Sequence, residues 1–302
     1  MELRVLQYFL AVTREQSISA AAEALHLSQP TLSRQLREME EELGKQLLIR
    51  GSRRVTLTEE GMILRKRAEE IMELVRKAES EIALSDEYVA GDITVGAAET
   101  DGVRFLVQRA QALRTRCPDV HLHIVSGDKV VVLESLDRGL VDFGLICGPF
   151  DSAKYESLSI PVKDHIGVMM RRDAPLAQKR SVTKEDLFGL PLIVSRQMLL
   201  DDSLASVFGK DTARLNIVGS YNLLFNGSLM VEGGMGYAIC FDKIINVCCG
   251  SSLCFRPLYP DIGQELNVIW KKYQVLTKAS EELLLEMQQP AGQQDTPAGA
   301  QE

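Results

Sequence analysis

Gln29, Thr31, Ser33, Arg34 and Arg37 are short hydrogen-bonding side chains and guanidinium groups, spaced to share one helical face. They match the groups that read base edges in a major groove, where Arg pairs with guanine and Gln with adenine. Ser28 and Pro30 complete this contact set. Ser28 suits the N-cap of that helix, and Pro30 fits its first turn, where a missing N–H costs nothing. Arg50, Arg53 and Arg54 follow within five residues. They flank Gly51 and Ser52 between two short apolar runs, as in a hairpin whose tip tracks phosphates.

The elements that must hold these groups are readable locally. Leu3, Leu6, Phe9 and Leu10 keep a 3.6-residue spacing and predict a first helix. Ser17 caps a second, alanine-rich helix from Ile18 to Leu25, whose small side chains let a neighbour approach closely. His26-Leu27-Ser28 is then a three-residue turn. Leu32, Leu36, Met39 and Leu43 supply the buried stripe of the third helix, and Gly44 ends it. A short helix, a turn and a polar-faced helix make a helix-turn-helix. The polar face alone is equally an ordinary solvated surface. The arginine-tipped hairpin that follows favours the DNA-binding reading.

On these residues the chain resembles the LysR-type transcriptional regulators. The resemblance runs from Tyr8 to Gly61 through Ser17-x-Ser19-x-Ala21-Ala22, Leu25-x-Leu27-Ser28-Gln29-Pro30, Ser33-Arg34-Gln35-Leu36, Leu43-Gly44 and Thr56-Leu57-Thr58-x-x-Gly61. It continues more weakly to about residue 288. One departure is Leu48-Ile49-Arg50, where the family usually carries an aromatic residue before the arginine. The resemblance implies a winged helix-turn-helix, a linker helix that pairs antiparallel with a second copy, and an α/β effector domain like periplasmic binding proteins.

The expected organisation is a DNA-binding domain over 1–58, a linker helix over 59–90, and an effector domain over 91–288. The tail from 289 to 302, rich in Gln, Pro, Gly and Ala, is expected to be disordered. In the linker, Leu64, Ala68, Ile71, Val75, Ala78, Ile82, Ser85 and Val89 alternate at four and three residues. That heptad seam predicts a partner helix, so the first six of these are candidate dimer contacts. The rival is packing against the chain's own domains. The effector domain alternates strands and helices, which predicts parallel sheets covered by helices. Subdomain I takes about 91–161 and 267–288, and subdomain II about 162–266.

Ligands of such folds sit at the carboxyl ends of strands, in the crevice between subdomains. The loops there nominate Glu99, Thr100, Asp101, Ser126, Cys147, Gly148, Ser195 and Arg196, with Tyr221 and Asn222 starting a helix to Glu232. Each is also an ordinary cap or turn residue. Glu99 and Asp101 would repel an anion unless a cation such as Arg196 compensates, so a zwitterionic, cationic or polar effector is expected.

The charge balance sharpens this picture. The 302 residues carry 34 Lys and Arg against 42 Asp and Glu, a net charge of −8. Such a sum argues at first against nucleic acid. Residues 1–67, however, carry 11 basic against 9 acidic side chains, a charge of +2, so the acidity belongs to the remainder. No apolar run is long enough for a membrane span, and Met1-Glu2-Leu3-Arg4 lacks a signal-peptide pattern. The expected location is therefore the cytoplasm, with the six cysteines reduced. No C-x-x-C pair or His-rich cluster suggests a metal, and no cofactor is expected.

The competing class is an enzyme or solute-binding protein with the helical N-terminus as an interaction module. Cys147 would be its nucleophile, but none of the four histidines pairs with it in a motif. Gly233-Gly234-Met235-Gly236 follows a helix and enters a strand, the wrong order for a phosphate cradle. The adjacent Cys248 and Cys249 are redox candidates, though buried inert cysteine is the common case. A non-enzymatic regulator is expected, with three kinds of partner. These are double-stranded operator DNA bearing inverted repeats, a small-molecule effector, and a second copy in a dimer or dimer of dimers. RNA polymerase is a further candidate.

Overall fold

The computed structural model describes residues 1–51, 54–83, 88–200, 203–248 and 250–289. Arg53, Ser85, Cys249 and the tail beyond Gln289, all singled out above, lie outside them. The chain forms two compact units, residues 1–85 and 86–302.

The first unit contains α1 (Leu3–Glu15), α2 (Ile18–Ala24), α3 (Gln29–Leu43), β1 (Leu48–Arg50), β2 (Val55–Leu57) and α4 (Glu59–Ala83). The apolar face of α1, with Val5, Leu6, Phe9 and Val12, meets Ala21 and Ala22 of α2 and Leu32, Leu36 and Met39 of α3. The alanines do what small residues allow, bringing α2 close to its neighbours. Ser17 Oγ accepts from Ala20 N–H and Ser28 Oγ from Thr31 N–H, each at 3.3 Å. His26 takes a left-handed φ of 55° to turn the chain, and Gly44 ends α3 at φ 63°. The antiparallel pairs Leu48–Leu57, Ile49–Thr56 and Arg50–Val55 form the wing. Leu48 fills the core from the place where an aromatic was expected nearby, while Ile49 beside it is exposed.

Helix α4 starts as expected. Thr58 Oγ1 accepts from Gly61 N–H at 3.0 Å and donates to the Gln46 carbonyl at 2.8 Å. Its heptad seam is not uniform. Leu64, Ala68 and Ile71 pack into the core of their own unit, so the first part of the stripe is spent within the chain. Val75 is half-buried, Ala78 is exposed, and Ile82 is 84% exposed. Val89 belongs to the second unit, where it packs against the core.

The second unit has two lobes. The elements of the first are β3 (Gly91–Ala97), α5 (Val103–Arg116), β4 (Val120–Ser126), α6 (Lys129–Asp137), β5 (Phe143–Cys147) and the start of β6 (Tyr155–Arg171). The second lobe adds β7 (Pro191–Ser195), α7 (Arg196–Leu200), α8 (Ser203–Phe208), β8 (Asn216–Tyr221), α9 (Leu224–Glu232), β9 (Tyr237–Phe241) and β10 (Leu253–Pro257). The chain returns through β11 (Gly263–Lys271), followed by α10 (Lys278–Gln288). Strands run in the order β4-β3-β5-β11-β6-β9-β7-β8, with β10 also on β6. Ile93, Val95, Leu106, Phe143 and Val268 centre one core; Val168, Leu192, Val194 and Ile239 centre the other.

The lobe boundary is one continuous strand. Lys163, Asp164 and His165 interrupt the apolar run before Gly167. β6 nevertheless extends from Tyr155, since β11 pairs with its first half and β9 and β10 with its second. Strand β10 and the start of β11 at Gly263 were not evident in the sequence. Tyr221 ends β8 and α9 starts at Leu224, so Tyr221 and Asn222 precede that helix rather than begin it. Gly236 explains the glycine-rich turn, because a Cβ there would lie 2.2 Å from the Pro191 carbonyl oxygen. Among the described residues no helix is long and apolar enough to cross a membrane.

Candidate functional site

Gln29, Pro30, Thr31, Arg34 and Arg37 are exposed on the first half of α3, and Ser33 is half-buried. The buried side of the same helix is fixed by Leu32, Leu36 and Met39. A polar face is thereby held rigid by the packed face behind it, which is what base reading requires. Ser28 Oγ lies 2.7 Å from Thr31 Oγ1, so these two side chains are engaged in the cap. Arg34 Nε approaches Glu38 at 3.7 Å and the side chain remains 69% exposed. That pair is a weak surface interaction that a guanine edge can replace.

Arg50 departs from expectation. Its guanidinium donates to Ser33 Oγ at 3.3 Å and to Glu40 Oε2 at 3.4 Å. Glu40 Oε1 also accepts the Leu47 and Leu48 N–H groups at 2.7 and 3.0 Å. Arg50 and Glu40 therefore lock the wing to α3, and Arg50 is a brace first. Arg54 is exposed at the other side of the turn, where its carbonyl accepts from Gly51 N–H at 3.1 Å.

The second unit encloses a cavity of about 430 Å³ between its lobes, within the usual size of a small-molecule site. Of the expected residues, Glu99, Cys147, Gly148, Ser195, Tyr221 and Asn222 line it. Thr100, Asp101, Ser126 and Arg196 are not among the lining residues. Thr100 is buried and its Oγ1 accepts from Gly102 N–H at 3.0 Å, a local turn. Asp101 pairs with Arg104 at 2.6 Å and Lys243 at 3.9 Å. Lys129 lines the cavity, so the cation at the site is this residue and not Arg196.

Lys129, Asp128, Gln197 and Gln264 are polar lining residues that sequence reasoning missed. The signal for Asp128 was present, because it caps α6 by accepting from Val131 N–H at 3.0 Å. Met198, Val207, Ile239, Phe241 and Ile244 give the walls their apolar character. Tyr221 donates its hydroxyl to the Ile239 carbonyl at 2.7 Å, and burial holds its pKa well above the ordinary value. Burial likewise pushes the Cys240 thiol up to about 12, so it stays protonated and unreactive at neutral pH. No lining residue is a histidine. His121 and His123 face Asp92, and His165 faces Asp261. The described lining residues therefore place no histidine beside Cys147 in the cavity.

Asp164 lies at the lobe crossing and is fully buried. Among the described residues, neither carboxylate oxygen has a partner in good hydrogen-bond geometry, although the Thr100 hydroxyl and the Asp101 backbone adjoin it. Burial raises its pKa, the nearby Asp242 and Asp101 add to that, and the adjoining Thr100 hydroxyl and Asp101 backbone partly oppose it.

A winged helix-turn-helix followed by a long helix and a two-lobed α/β domain with an interlobe cavity defines a ligand-responsive DNA-binding regulator. Comparison with known proteins gives the family. Residues 3–62 match the bacterial regulatory helix-turn-helix model of the lysR family, and residues 86–290 match the LysR substrate binding domain. The chain is 32% identical over 280 residues to the Hca operon transcriptional activator HcaR of Escherichia coli strain K12, covering 90% of this chain and 92% of that protein. A HTH-type transcriptional regulator of Shigella flexneri, YfeR, is 26% identical over 93% of this chain and 91% of its own. The crystal structure of full-length CbnR complexed with its target DNA shares the fold. Its TM-score is 0.74 at 19% identity, over 95% of this chain and 99% of that one. The protein belongs to the LysR family of DNA-binding transcriptional regulators with an effector-binding domain, and its relatives are regulators rather than enzymes.

Proposed function

We propose that the exposed first half of α3 reads operator bases through Gln29, Thr31, Ser33, Arg34 and Arg37, with Ser28 and Pro30 setting the start of the helix. The observation that carries this reading is the rigid presentation of that face beside a wing locked to it by Arg50 and Glu40. Arg54 and Arg53 meet phosphates, and Arg50 contributes mainly by positioning. Two copies associate through the part of α4 beyond Ile71, where Ala78 and Ile82 are exposed, and so address an inverted repeat. A small molecule in the interlobe cavity shifts the affinity for DNA by stabilising one lobe arrangement, a coupling of about 1–3 kcal/mol. Glu99, Cys147, Gly148, Ser195, Tyr221 and Asn222 are its proposed contacts, and Thr100, Asp101, Ser126 and Arg196 are not. The protein works in the cytoplasm, and its output passes to RNA polymerase.

Fluorescence anisotropy with DNA from upstream of the protein's own gene tests this reading. A specific complex that weakens steeply with salt is expected. Equal affinity for that DNA and for a scrambled duplex would contradict it.

A further inference from the structure

Helices α6 and α9 both start at the cavity, and at each start one backbone N–H donates to a side chain of the opposite lobe. The Leu224 N–H at the start of α9 donates to the carboxylate of Glu99, which comes from the loop after β3. The Lys129 N–H at the start of α6 donates to Gln197 Oε1 at 3.3 Å, from α7. Helix starts are where an anionic ligand would find free N–H donors and a favourable dipole. Here the protein's own oxygens already take donors at both. The Ser195 hydroxyl oxygen is engaged similarly, accepting from Met198 N–H at 3.3 Å.

The charges point the same way. Among the described residues, the charged ones lining the cavity are Glu99, Asp128 and Lys129. The ammonium of Lys129 is directed at the Pro149 carbonyl, so it is partly satisfied within its own lobe. Two carboxylates remain facing a largely apolar volume. A carboxylate ligand would have to displace Glu99 from α9 and then tolerate its charge nearby, a repulsion that low polarity strengthens. An ammonium ligand meets the opposite balance, because each carboxylate has acceptor capacity beyond one bond.

We propose that the cavity takes a monocationic amphiphile, a primary or secondary ammonium carried on an apolar body. Its N–H groups bond to Glu99 and Asp128, and its body lies against Met198, Val207, Ile239 and Phe241. Glu99 thereby acts as the discriminating residue against acids of the same shape. The inference rests on the reading of this cavity as the effector site.

The test uses three probes of matched length on the full chain near neutral pH: hexylamine, hexanol and hexanoate. Thermal shift and calorimetry are expected to rank hexylamine first, hexanol weaker and hexanoate without effect. Glu99→Gln retains an acceptor oxygen for Leu224 N–H and removes the charge. It should weaken hexylamine about tenfold and admit hexanoate. Asp128→Asn should weaken hexylamine in the same direction and serves should Glu99→Gln fold poorly. Hexanoate binding as tightly as hexylamine, no stabilisation by any probe, or unchanged hexylamine affinity in both variants would overturn the proposal. Anisotropy on operator DNA with each probe separates this from the regulatory reading. Hexylamine that binds the cavity and leaves DNA affinity unchanged contradicts regulation through the cavity while the ligand class stands.

Discussion

Glu40 and Glu99 both accept backbone N–H groups from distant segments, and their surroundings give them different roles. Glu40 takes two N–H groups and the Arg50 guanidinium, and everything it binds belongs to one small packed unit. Glu99 takes one N–H from the other side of a cavity, and its partner belongs to a lobe joined to its own through the β6 crossing. The first arrangement is a brace that holds the wing against the proposed DNA-reading face. The second is an exchangeable contact, because a ligand can replace either side of it. Carboxylate capping thus serves rigidity where all donors share a core and, on the proposed reading of the cavity, selectivity where they are divided between two lobes.

The largest test of this contrast is Glu40→Ala against Glu99→Ala. Removing Glu40 strands two part-buried N–H groups and loses an exposed ion pair with Arg50, which costs about 2–3 kcal/mol. In a unit of this size that lowers its melting transition by about 10 °C or more. Glu99→Ala should cost under about 1 kcal/mol, because water from the cavity can replace one bond. Scanning calorimetry measures both, and equal losses would break the comparison.

A smaller effect is expected at Asp164. Its folded pKa is raised above the ordinary 3.8, chiefly by burial. The folded state therefore holds this proton more tightly than the unfolded chain does. Its contribution is most favourable below the ordinary value and is lost as pH rises through the folded pKa. Asp164→Asn mimics the protonated form, so it should raise the melting temperature near neutral pH and flatten the acid-to-neutral pH dependence. Unchanged stability at both ends of that range would show that the charge at the lobe crossing is not costly.

Smallest is the cap of the reading helix. Ser28→Ala removes the acceptor for Thr31 N–H and should cost about 1 kcal/mol of stability. It should also weaken DNA binding several-fold, as the first turn carries Gln29 and Thr31. Stability lost without any change in DNA affinity would separate the cap from the reading face.

The first unit is the more legible half in the sequence because its signals are local. Ser17, Ser28 and Gly44 mark helix ends within a turn of their partners, and the apolar stripes need only their own spacing. Arg50 misleads at this level, since its type announces a phosphate contact while its partner Glu40 is ten residues back on another element. The seam of α4 misleads similarly. Periodicity says that Leu64, Ala68 and Ile71 are buried and cannot say against what. In the second unit, loop positions after strands led to Glu99, Cys147, Ser195 and Tyr221. Lys129 and Gln197 escaped because their juxtaposition depends on how the starts of two helices 68 residues apart converge. The bond from Leu224 to Glu99 spans 125 residues, beyond any local pattern.

Measuring Arg34→Ala and Arg54→Ala on the cognate operator and on scrambled DNA, across salt concentrations, tests the central claim most directly. Arg34→Ala should lose about 1–3 kcal/mol of discrimination between the two duplexes. Arg54→Ala should weaken both alike and reduce the salt slope by about one. Identical losses on every sequence for both variants would contradict the account, because α3 would then grip DNA without reading it.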